Sequence, residues 1–420
     1  MKSITLLLFC FIASQCMGQL EKERAIMKTL CSPAFDGRGY VRDGMNKAAH
    51  FIGEEFQKTG ALAAGNNDSY FQKVTYQVNT FPGIIELSSK KRAFEPGVHY
   101  LVESYSGSYN GDLKLKSIDI FKLINKDTKE LQKLEKLKGN MAILLDLTPY
   151  HSRDTVGLFH QISSELAQFR PVVLITNEKF MWSVGRSQKK YPVVLVQDSV
   201  FNNVKSIHLN VENKFLSKFE TKNVVAKIPG ESSDSCFVFT AHFDHLGRMG
   251  TEVYFPGAND NASGTTMLIS LADYYSKNKP KFDIYFIAFC GEEAGLVGSK
   301  EFVDHPTFDI QRIKFLLNLD IMGSGDEGIT AVNGTIYKNE FEKLKDLSEA
   351  KSLLSVVKPR GKTQNSDHFF FQEKGIKTFF IYTMGKNKAY HDVFDKYETL
   401  DMGKFEDLKT LLIDFVNVYP

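Results

Sequence analysis

A strong charge of either sign is missing from this sequence. Its 420 residues include 52 Lys and Arg against 50 Asp and Glu, which leaves a net charge of +2. Proteins whose main partner is a nucleic acid or an acidic membrane carry a basic field, so this balance argues against both partners. Hydrophobic residues make up 43% and charged residues 24%. This composition and length predict a folded chain of two or three globular units.

Long apolar segments are missing as well. The one apolar run without charge, residues 4–13, is about half of the roughly 20 residues that a membrane helix needs, so no integral membrane segment is expected. Small residues follow at Cys16 and Gly18, where a secretory cleavage site requires them. We therefore predict a signal peptide over residues 1–18 and export to the periplasm or the extracellular space. A lipid anchor on Cys16 is the less favoured alternative, because Gln15 is larger than the residue that usually precedes a lipid-modified cysteine.

Cysteine is scarce. Of the five cysteines, two lie in the predicted signal peptide, which leaves Cys31, Cys236 and Cys290. Three is an odd number and too few for a disulfide scaffold, so a hydrophobic core with at most one bridge is expected to stabilise the chain. The sequence also lacks internal repeats and low-complexity segments, so domain boundaries must come from changes of pattern.

Changes of pattern divide the chain into three parts. Up to about residue 79, apolar residues recur at helical spacing and predict two helices. Residues 80–216 contain short runs of β-branched and aromatic residues between polar connectors, which predict a small inserted domain. From residue 217 to residue 420, strand and helix patterns alternate. We therefore expect residues 19–79 and 217–420 to form one domain around the insert.

The last part of the chain predicts an α/β fold. Its apolar runs are continuous, as expected of strands that are covered on both faces, and they occupy residues 235–241, 282–289, 313–319 and 378–383. Their alternation with helical patterns predicts a mostly parallel central sheet sandwiched by helices. Such sheets bind ligands beyond the C-terminal ends of their strands.

Side chains that bind metals follow successive predicted strands. His242 comes directly after the first strand, Asp260 lies in the Gly-rich loop that follows, and Glu292 and Glu293 come after the second strand, while Asp320 follows the third. One such residue alone is typical of a solvated loop tip. Their recurrence at successive strand ends predicts a metal site.

The number of donors favours two divalent ions over one. Three carboxylates and two imidazoles exceed the three protein ligands of a typical catalytic zinc, so one carboxylate should bridge and a second imidazole should come from later in the chain. Three ligand carboxylates and one hydroxide balance the charge of two zinc ions. Bound zinc lowers the pKa of water from about 15.7 to about 7, so the site can supply that hydroxide near neutral pH.

Longer motifs around these residues carry a family resemblance. Between residues 223 and 401, and in the same order, the sequence resembles the secreted di-zinc aminopeptidase family, which also includes glutamate carboxypeptidases and glutaminyl cyclases. The pair Gly37 and Arg38 is similar to that family too. The motifs are AHFDHLG from Ala241, PGANDNASG from Pro256, AFCGEEAGLVGS from Ala288, NLDIMG from Asn318, SDHFFF from Ser366 and YHDVFDKYETLD from Tyr390.

The resemblance implies a zinc exopeptidase-like fold, two zinc ions and a peptide substrate. It implies that a water bridging the two ions attacks the scissile carbonyl, while a general base takes its proton and passes it to the leaving amine. It also implies a cis peptide bond after the bridging aspartate. It assigns His242 and Asp320 to one zinc, Glu293 and His391 to the other, Asp260 to both, and Glu292 to the role of base.

Alternatives stay open for several residues. Glu292 and Glu293 also fit ordinary carboxylates at a helix N-terminus, which the helix dipole favours. Asp244 fits an acceptor that fixes the tautomer of His242, or a loop carboxylate in water. Tyr390 matches a tyrosine that donates to the developing oxyanion in related carboxypeptidases, or its ring simply packs.

Other residues near the motifs have weaker signals. His245 fits either a group beside a metal ligand or the substrate, or a hydrogen-bonded loop histidine. Asp367 and His368 are expected to line or brace the substrate pocket. Cys290 lies beside the predicted base, but no histidine is placed to activate it as a nucleophile, so a small strand-end residue is the favoured interpretation.

The Gly-rich loop at residues 256–264 also needs an explanation. A phosphate cradle requires Lys and Ser or Thr at P-loop spacing, and neither is present. We expect Gly257 and Gly264 instead to allow a sharp turn and a close approach, which aims Asp260 between the metals.

These features predict an exported metal-dependent exopeptidase, most readily an aminopeptidase. One alternative is a glutaminyl-cyclase-like or carboxypeptidase-like enzyme; a carboxypeptidase needs a cation for the substrate carboxylate, and Arg360 is a candidate. Another is a non-catalytic binding ectodomain on the same fold, although such proteins typically lose metal ligands. The insert at residues 80–216 resembles a protease-associated domain in position and strand content only, and no pattern indicates the oligomeric state.

Overall fold

The computed structural model describes residues 20–419. The predicted signal peptide at residues 1–18, and with it the alternative of a lipid anchor on Cys16, lies outside the described residues. Within residues 20–419, no helix combines the length and the apolar content that crossing a bilayer requires.

The described chain alternates strands and helices. The strands are β1 (Leu62–Ala63), β2 (Phe71–Thr80), β3 (Ile85–Ser88), β4 (Tyr100–Val102), β5 (Tyr109–Ser117), β6 (Met141–Asp146), β7 (Val172–Thr176), β8 (Val193–Gln197), β9 (Ser206–Val211), β10 (Lys214–Ile228), β11 (Ser232–His242), β12 (Arg248–Met249), β13 (Val253–Tyr254), β14 (Phe282–Phe289), β15 (Ile313–Leu319), β16 (Ile329–Val332), β17 (Val357–Arg360) and β18 (Thr378–Thr383). The helices are α1 (Glu21–Leu30), α2 (Gly44–Thr59), α3 (Ile120–Ile124), α4 (Thr128–Glu135), α5 (Arg153–Leu166), α6 (Asp198–Phe201), α7 (Ser263–Lys277), α8 (Val297–Asp304), α9 (Lys338–Ala350), α10 (His368–Glu373) and α11 (Phe405–Val418).

The larger sheet has four parallel strands at its centre. Its order is β1-β10-β14-β11-β15-β18-β16-β17, and β2 also pairs with β10. Strands β14, β11, β15 and β18 run parallel, whereas β10 and β16 join them antiparallel. The predicted parallel sheet is therefore found at the centre, with antiparallel flanks. The flank differs because β2 leads out of this sheet and β10 leads back into it, so the two strands pair antiparallel.

Helices cover both faces of this sheet. On one face α1, α2, α7 and α11 enclose the largest apolar core, and on the other α8 and α10 enclose a smaller one. Every side chain of β14 is buried, which explains its aromatic and β-branched sequence FDIYFIAF. Three of the predicted apolar runs match β14, β15 and β18 at both ends. The fourth is part of the longer strand β11.

A second sheet lies between β2 and β10 in the chain. Its order is β3-β9-β5-β6-β7-β8-β4, and its strands fall within residues 85–211. Its apolar core includes Leu246, Met249 and Phe255, which belong to the loop after β11. The two sheets therefore share packed residues next to the end of β11. A separate inserted domain at residues 80–216, and its likeness to a protease-associated domain, remain predictions.

Cys31, Cys236 and Cys290 are all buried and free. Burial raises the pKa of the Cys290 thiol well above its usual range, and its Sγ donates to Asn223 Oδ1 at 3.3 Å. A thiol held in this way is a poor nucleophile. The stability of the described chain therefore comes from its cores.

One buried arginine ties the N-terminal part to the loops around β11. Arg38 is fully buried, and its guanidinium donates to the carbonyl oxygens of Phe243 at 2.7 Å, Pro256 at 2.8 Å and Gly257 at 2.7 Å, and to Leu30 at 3.0 Å. Phe243, Pro256 and Gly257 lie in the connection between β11 and α7, and Leu30 ends α1. The Gly37 and Arg38 pair noted in the sequence is therefore a structural clamp on that region.

We expect Arg38→Met to destabilise the protein strongly. Methionine fills much of the same space but leaves buried carbonyl groups without a donor, so the free energy of unfolding should fall by more than about 3 kcal/mol. Urea denaturation measures this change. The control is Arg42→Met, because Arg42 is 54% exposed and should change stability by less than about 0.5 kcal/mol. Equal denaturation midpoints for the two variants would contradict the clamp.

Candidate metal centre

The parallel strands deliver polar side chains to one edge of the larger sheet. Strand β11 ends on His242, and Glu292 and Glu293 follow the end of β14. Strand β15 is followed directly by Asp320, and the chain after β18 leads to His391. Because parallel strands end at the same edge, residues far apart in the sequence meet there.

Asp260 lies between two imidazoles. Its Oδ1 is 3.3 Å from His242 Nε2, and its Oδ2 is 3.1 Å from His391 Nε2. Each imidazole also faces a second carboxylate: His242 Nε2 lies 3.2 Å from Asp320 Oδ1, and His391 Nε2 lies 3.2 Å from Glu293 Oε2. All five predicted metal ligands therefore lie together, in two sets that share Asp260.

The distances fit ligands around cations better than hydrogen bonds. Donors about 2.0–2.1 Å from a tetrahedral zinc lie about 3.3–3.4 Å from one another. A charge-assisted hydrogen bond between imidazole and carboxylate is shorter, about 2.7–2.9 Å. In addition, one Nε2–H cannot donate well to two carboxylates at once. The donor set therefore fits two divalent cations, one on each side of Asp260.

The electrostatic surroundings differ for the two adjacent glutamates of the cluster. Asp260, Glu293 and Asp320 are buried together, and Glu292 lies next to them. Considered without a bound cation, burial and the neighbouring Glu293 raise the pKa of Glu292 well above its usual range, although His242 opposes the shift. Burial also opposes ionisation of Glu293, but His391 and His245 hold its pKa at about 2. The pKa of Glu292 is therefore shifted upwards and that of Glu293 downwards, although the two residues are adjacent.

Neighbouring groups hold the carboxylates in place. Ser366 Oγ donates to Asp320 Oδ2 at 2.9 Å. The backbone N–H of Asp260 donates to Asp395 Oδ2 at 3.0 Å, and Asn259 N–H donates to the same carboxylate. The peptide bond after Asp260 is cis, as the resemblance implies. Sequence reasoning missed Ser366 and Asp395 as supports, although both lie inside the quoted motifs.

The loop that carries Asp260 has room for glycine alone at two positions. Gly257 has φ +57°, and a Cβ there would lie 2.4 Å from the His245 ring and from the Asp260 carbonyl oxygen. A Cβ on Gly264 would lie 2.4 Å from the Leu319 carbonyl oxygen. The expected sharp turn and close approach are therefore present.

Asp244 supports two ligands in different ways. Its carbonyl oxygen accepts from His242 Nδ1 at 3.2 Å, which leaves Nε2 free to face the cluster. Its carboxylate lies 3.8 Å from that nitrogen and instead accepts the backbone N–H groups of Glu292 at 3.1 Å and Glu293 at 3.3 Å. The predicted effect on the His242 tautomer therefore comes from the backbone of Asp244, and its side chain holds the glutamate turn.

That turn is separate from a helix N-terminus. Helix α8 begins at Val297, whereas Glu292 and Glu293 lie in the preceding turn, where Leu296 adopts φ +58°. The helical periodicity of the sequence extends over residues 293–303 and predicts a helix there, which is wrong at its N-terminal end because the helix begins at Val297. The alternative that helix-dipole attraction explains these two glutamates is also wrong.

His245 contacts a ligand and is fully buried. Its Nδ1 lies 2.8 Å from Glu293 Oε1, which is a hydrogen-bond distance rather than the spacing of two ligands on one cation. Glu293 thus offers Oε2 to the cluster while His245 fixes Oε1. Proximity alone also groups His245 with Asp260 and Glu293, but His391 faces both carboxylates at the spacing of ligands.

A pocket of about 250 Å³ opens onto the cluster. Glu292 lines it together with His242, Asp260, Asp320 and His391. The rest of the wall consists of Ile321, Arg360, Asn365, Phe380, Tyr382 and Tyr390. The ring of Tyr390 stacks on His391 with centroids 4.0 Å apart, and the residue is 42% exposed.

Asp367 and His368 lie beneath this pocket and do not line it. Both are fully buried, and the His368 ring contacts Phe380 with centroids 5.3 Å apart. Burial raises the pKa of Asp367 to about 7 and lowers the pKa of His368 to about 4. The expectation that Asp367 and His368 brace the pocket therefore fits the structure, whereas the expectation that they line it does not.

Comparisons with known proteins agree with this geometry. Residues 223–416 match the model of Peptidase family M28. A vacuolar membrane protease of Candida tropicalis is 26% identical over 220 residues, and the aminopeptidase YwaD of Bacillus subtilis is 32% identical over 142 residues. These matches cover 51% and 33% of this chain, but only 23% and 30% of the relatives' own lengths.

A solved structure extends the likeness to the whole fold. The zinc aminopeptidase BSAP of Bacillus subtilis aligns with a TM-score of 0.66 and 20% sequence identity, over 94% of this chain and 93% of that one. At this identity the likeness establishes the fold alone. The aligned 94% of this chain includes residues of both sheets.

Replacing the shared aspartate should reduce metal binding more than replacing any surface carboxylate. We expect Asp260→Asn to lower the divalent metal content from two ions per chain to one or none, because the amide removes a charge from both sites. Elemental analysis after dialysis against zinc measures this content. The control is Asp273→Asn, since Asp273 pairs only with Lys22 and Lys277. Two ions retained by Asp260→Asn would contradict a shared ligand.

Proposed function

We propose, from the membership of residues 223–416 in peptidase family M28, that this chain is a zinc-dependent peptidase that removes N-terminal residues from peptides. One observation carries the proposal: the two oxygens of Asp260 face two imidazoles, each of which faces one further carboxylate. That arrangement suits a pair of cations. The presence of all five donors and Glu292 favours an enzyme over a binding ectodomain.

Zinc suits this donor set. It takes imidazole nitrogen and carboxylate oxygen as ligands, and His242, His391 and three carboxylates offer both. When bound, zinc acts as a Lewis acid on a carbonyl group and lowers the pKa of water to about 7. We propose His242 and Asp320 as ligands of one ion, Glu293 and His391 as ligands of the other, and Asp260 as the bridge.

Glu292 is the proposed general base. A carboxylate oxygen of Glu292 groups with His242 and Asp320 within 4.8 Å, and its side chain lines the pocket. Glu293 Oε2 faces His391 at the spacing of a ligand, whereas Glu292 lines the pocket, so their positions divide the roles of ligand and proton carrier between them. Glu292 accepts a proton from the attacking water and then gives it to the leaving amine, so it ends the reaction as it began.

The pocket favours an exopeptidase. Its volume of about 250 Å³ accommodates about one residue of a peptide, which suits cleavage next to a chain end. Tyr390 lies at its wall, where its hydroxyl is proposed to donate to the oxyanion of the tetrahedral intermediate. Export through the predicted signal peptide is part of this proposal, and peptides are the proposed substrates.

Glu292→Gln should remove turnover while leaving metal content intact. The amide cannot accept a proton, so kcat on aminoacyl amides should fall by about 10²- to 10⁴-fold, while elemental analysis still finds two zinc ions. Glu301→Gln is the matched control, because within residues 20–419 the Glu301 carboxylate forms its ion pair with His305 on the surface of α8 and lies outside the pocket wall. A Glu292→Gln protein with two zinc ions and near wild-type kcat would contradict the assigned base.

A second candidate function, a peptidase selective for substrates with a carboxylate, is favoured by Arg360. This residue lines the pocket, donates to the Tyr382 hydroxyl at 3.3 Å and forms no ion pair within residues 20–419. Asn365 adds another hydrogen-bond donor to the same wall. An unpaired cation opposite the metal ligands suits an acidic N-terminal residue or the α-carboxylate of a dipeptide.

Arg360→Met should therefore change selectivity. We expect kcat/KM for glutamyl amide or for a dipeptide to fall about 10- to 100-fold, with little change for leucyl amide, because one charge-assisted interaction is lost. A loss with glutamyl amide identifies the side-chain carboxylate of an acidic N-terminal residue as the bound group, and a loss with the dipeptide identifies its α-carboxylate. Lys358→Met on the same strand is the control, since Lys358 lies outside the pocket wall. Equal losses on all substrates would contradict carboxylate recognition.

A further inference from the structure

A segment of the second sheet reaches the metal centre. Residues 179–185, which we call the Trp182 segment, lie in the connection between β7 and β8. The backbone N–H of Trp182 donates to the His391 carbonyl oxygen at 2.8 Å, and His391 Nδ1 donates to the Trp182 carbonyl oxygen at 3.0 Å. A ligand of the proposed centre is thus held by a residue 209 positions earlier in the chain.

We propose that the Trp182 segment is a positioning element for one cation of the centre, and that the second sheet therefore controls metal binding at His391. The inference rests on the proposed function, because it assigns the second cation to His391 and Glu293. It concerns how the ligand is held, and no residue of the segment touches the cation or the substrate.

The contact decides which nitrogen of His391 faces the cluster. A carbonyl oxygen can only accept, so Nδ1 must carry a proton, and in the neutral imidazole that binds a cation the lone pair then lies on Nε2. Nε2 is the atom that faces Asp260 and Glu293 at 3.1 and 3.2 Å. His391 also has φ +52°, a conformation that non-glycine residues rarely adopt without surrounding support. The paired bonds to Trp182 provide that support.

The segment is itself firmly anchored. The Trp182 ring stacks on Phe255 with centroids 4.6 Å apart, its Nε1 donates to the Val102 carbonyl oxygen at 2.7 Å, and the residue is 5% exposed. Phe255 belongs to the loop after β11, whereas Val102 ends β4 of the second sheet. Trp182 therefore links both sheets at the point where it holds His391.

Both ends of the segment are also attached. Lys179 Nζ lies 2.7 Å from the buried carboxylate of Asp392 and donates to the Lys388 carbonyl oxygen at 2.6 Å. At the other end, the Gly185 carbonyl oxygen accepts from Asn79 N–H at 2.7 Å. The two contacts of Lys179 attach the segment to the loop that carries His391. The contact of Gly185 with Asn79 attaches it to β2.

The other histidine of the centre is held differently. His242 Nδ1 donates to the carbonyl oxygen of Asp244, two residues away in the same loop. Each imidazole therefore donates from Nδ1 to a backbone carbonyl oxygen. For His242 the acceptor lies in the same loop, and for His391 it lies in the Trp182 segment of the second sheet. Disturbing Trp182 should weaken the cation at His391 and spare the cation at His242 and Asp320.

Zinc titration of the metal-free full chain, in competition with a chelating dye, tests this difference. The wild-type protein should give two dissociation constants, and His391→Ala identifies the one that belongs to His391. In Trp182→Ala that constant should rise about 10- to 100-fold, as for other groups that orient metal ligands, while the other constant stays unchanged. Trp182→Phe retains a ring for Phe255 and should show a smaller rise.

Phe169→Ala is the matched control, because Phe169 is 73% exposed and precedes β7, outside the Trp182 segment, and both constants of this variant should equal those of wild type. If Trp182→Ala does not fold by circular dichroism, Lys179→Met carries the test and should weaken the same constant. Unchanged constants in a folded Trp182→Ala, or in Lys179→Met where that variant carries the test, would overturn the inference. Fewer than two zinc ions on wild type would instead contradict the proposed function.

Discussion

The attraction between two cations and one buried carboxylate is the interaction on which this site depends. Asp260 is shared between two imidazoles, and two further carboxylates lie on either side of it. Carboxylates buried this close together repel one another unless neighbouring positive charge offsets the repulsion. With two divalent ions the same groups form a nearly neutral unit. The fold therefore has to hold like charges close together, and most contacts around the site serve that purpose.

The contacts that hold the proposed ligands join backbone groups of the ligand-bearing loops to a few buried polar side chains. Asp244 and Asp395 accept backbone N–H groups of the ligand-bearing loops, and Ser366 donates to Asp320. The clamp at Arg38 fixes the carbonyl groups around the same loops. Because these contacts hold the proposed ligands in position, binding of a cation is expected to cost little conformational freedom. The second sheet takes part in this arrangement through Trp182.

The sequence predicts the central strands and the meeting of the five proposed metal ligands at one edge of the sheet, because both depend on local patterns. Strands β14, β15 and β18 are continuous apolar runs, and the polar residue types at their ends follow directly in the chain. Contacts between distant backbone groups leave no such pattern. The contact between the Trp182 carbonyl oxygen and His391 involves a backbone atom of Trp182, so the residue type does not indicate it. The antiparallel flank of the sheet arises from the long chain segment that separates β2 from β10. Side-chain direction was equally hidden for Asp367 and His368, which brace the pocket from below.

The central claim is that two cations lie on opposite sides of Asp260. X-ray diffraction at the zinc absorption edge, from crystals of the full chain grown with zinc, tests it most directly. The account predicts two anomalous peaks about 3.5–4 Å apart, one contacting His242 and Asp320 and the other contacting His391 and Glu293. A single peak, or two peaks of which neither contacts Asp260, would contradict it.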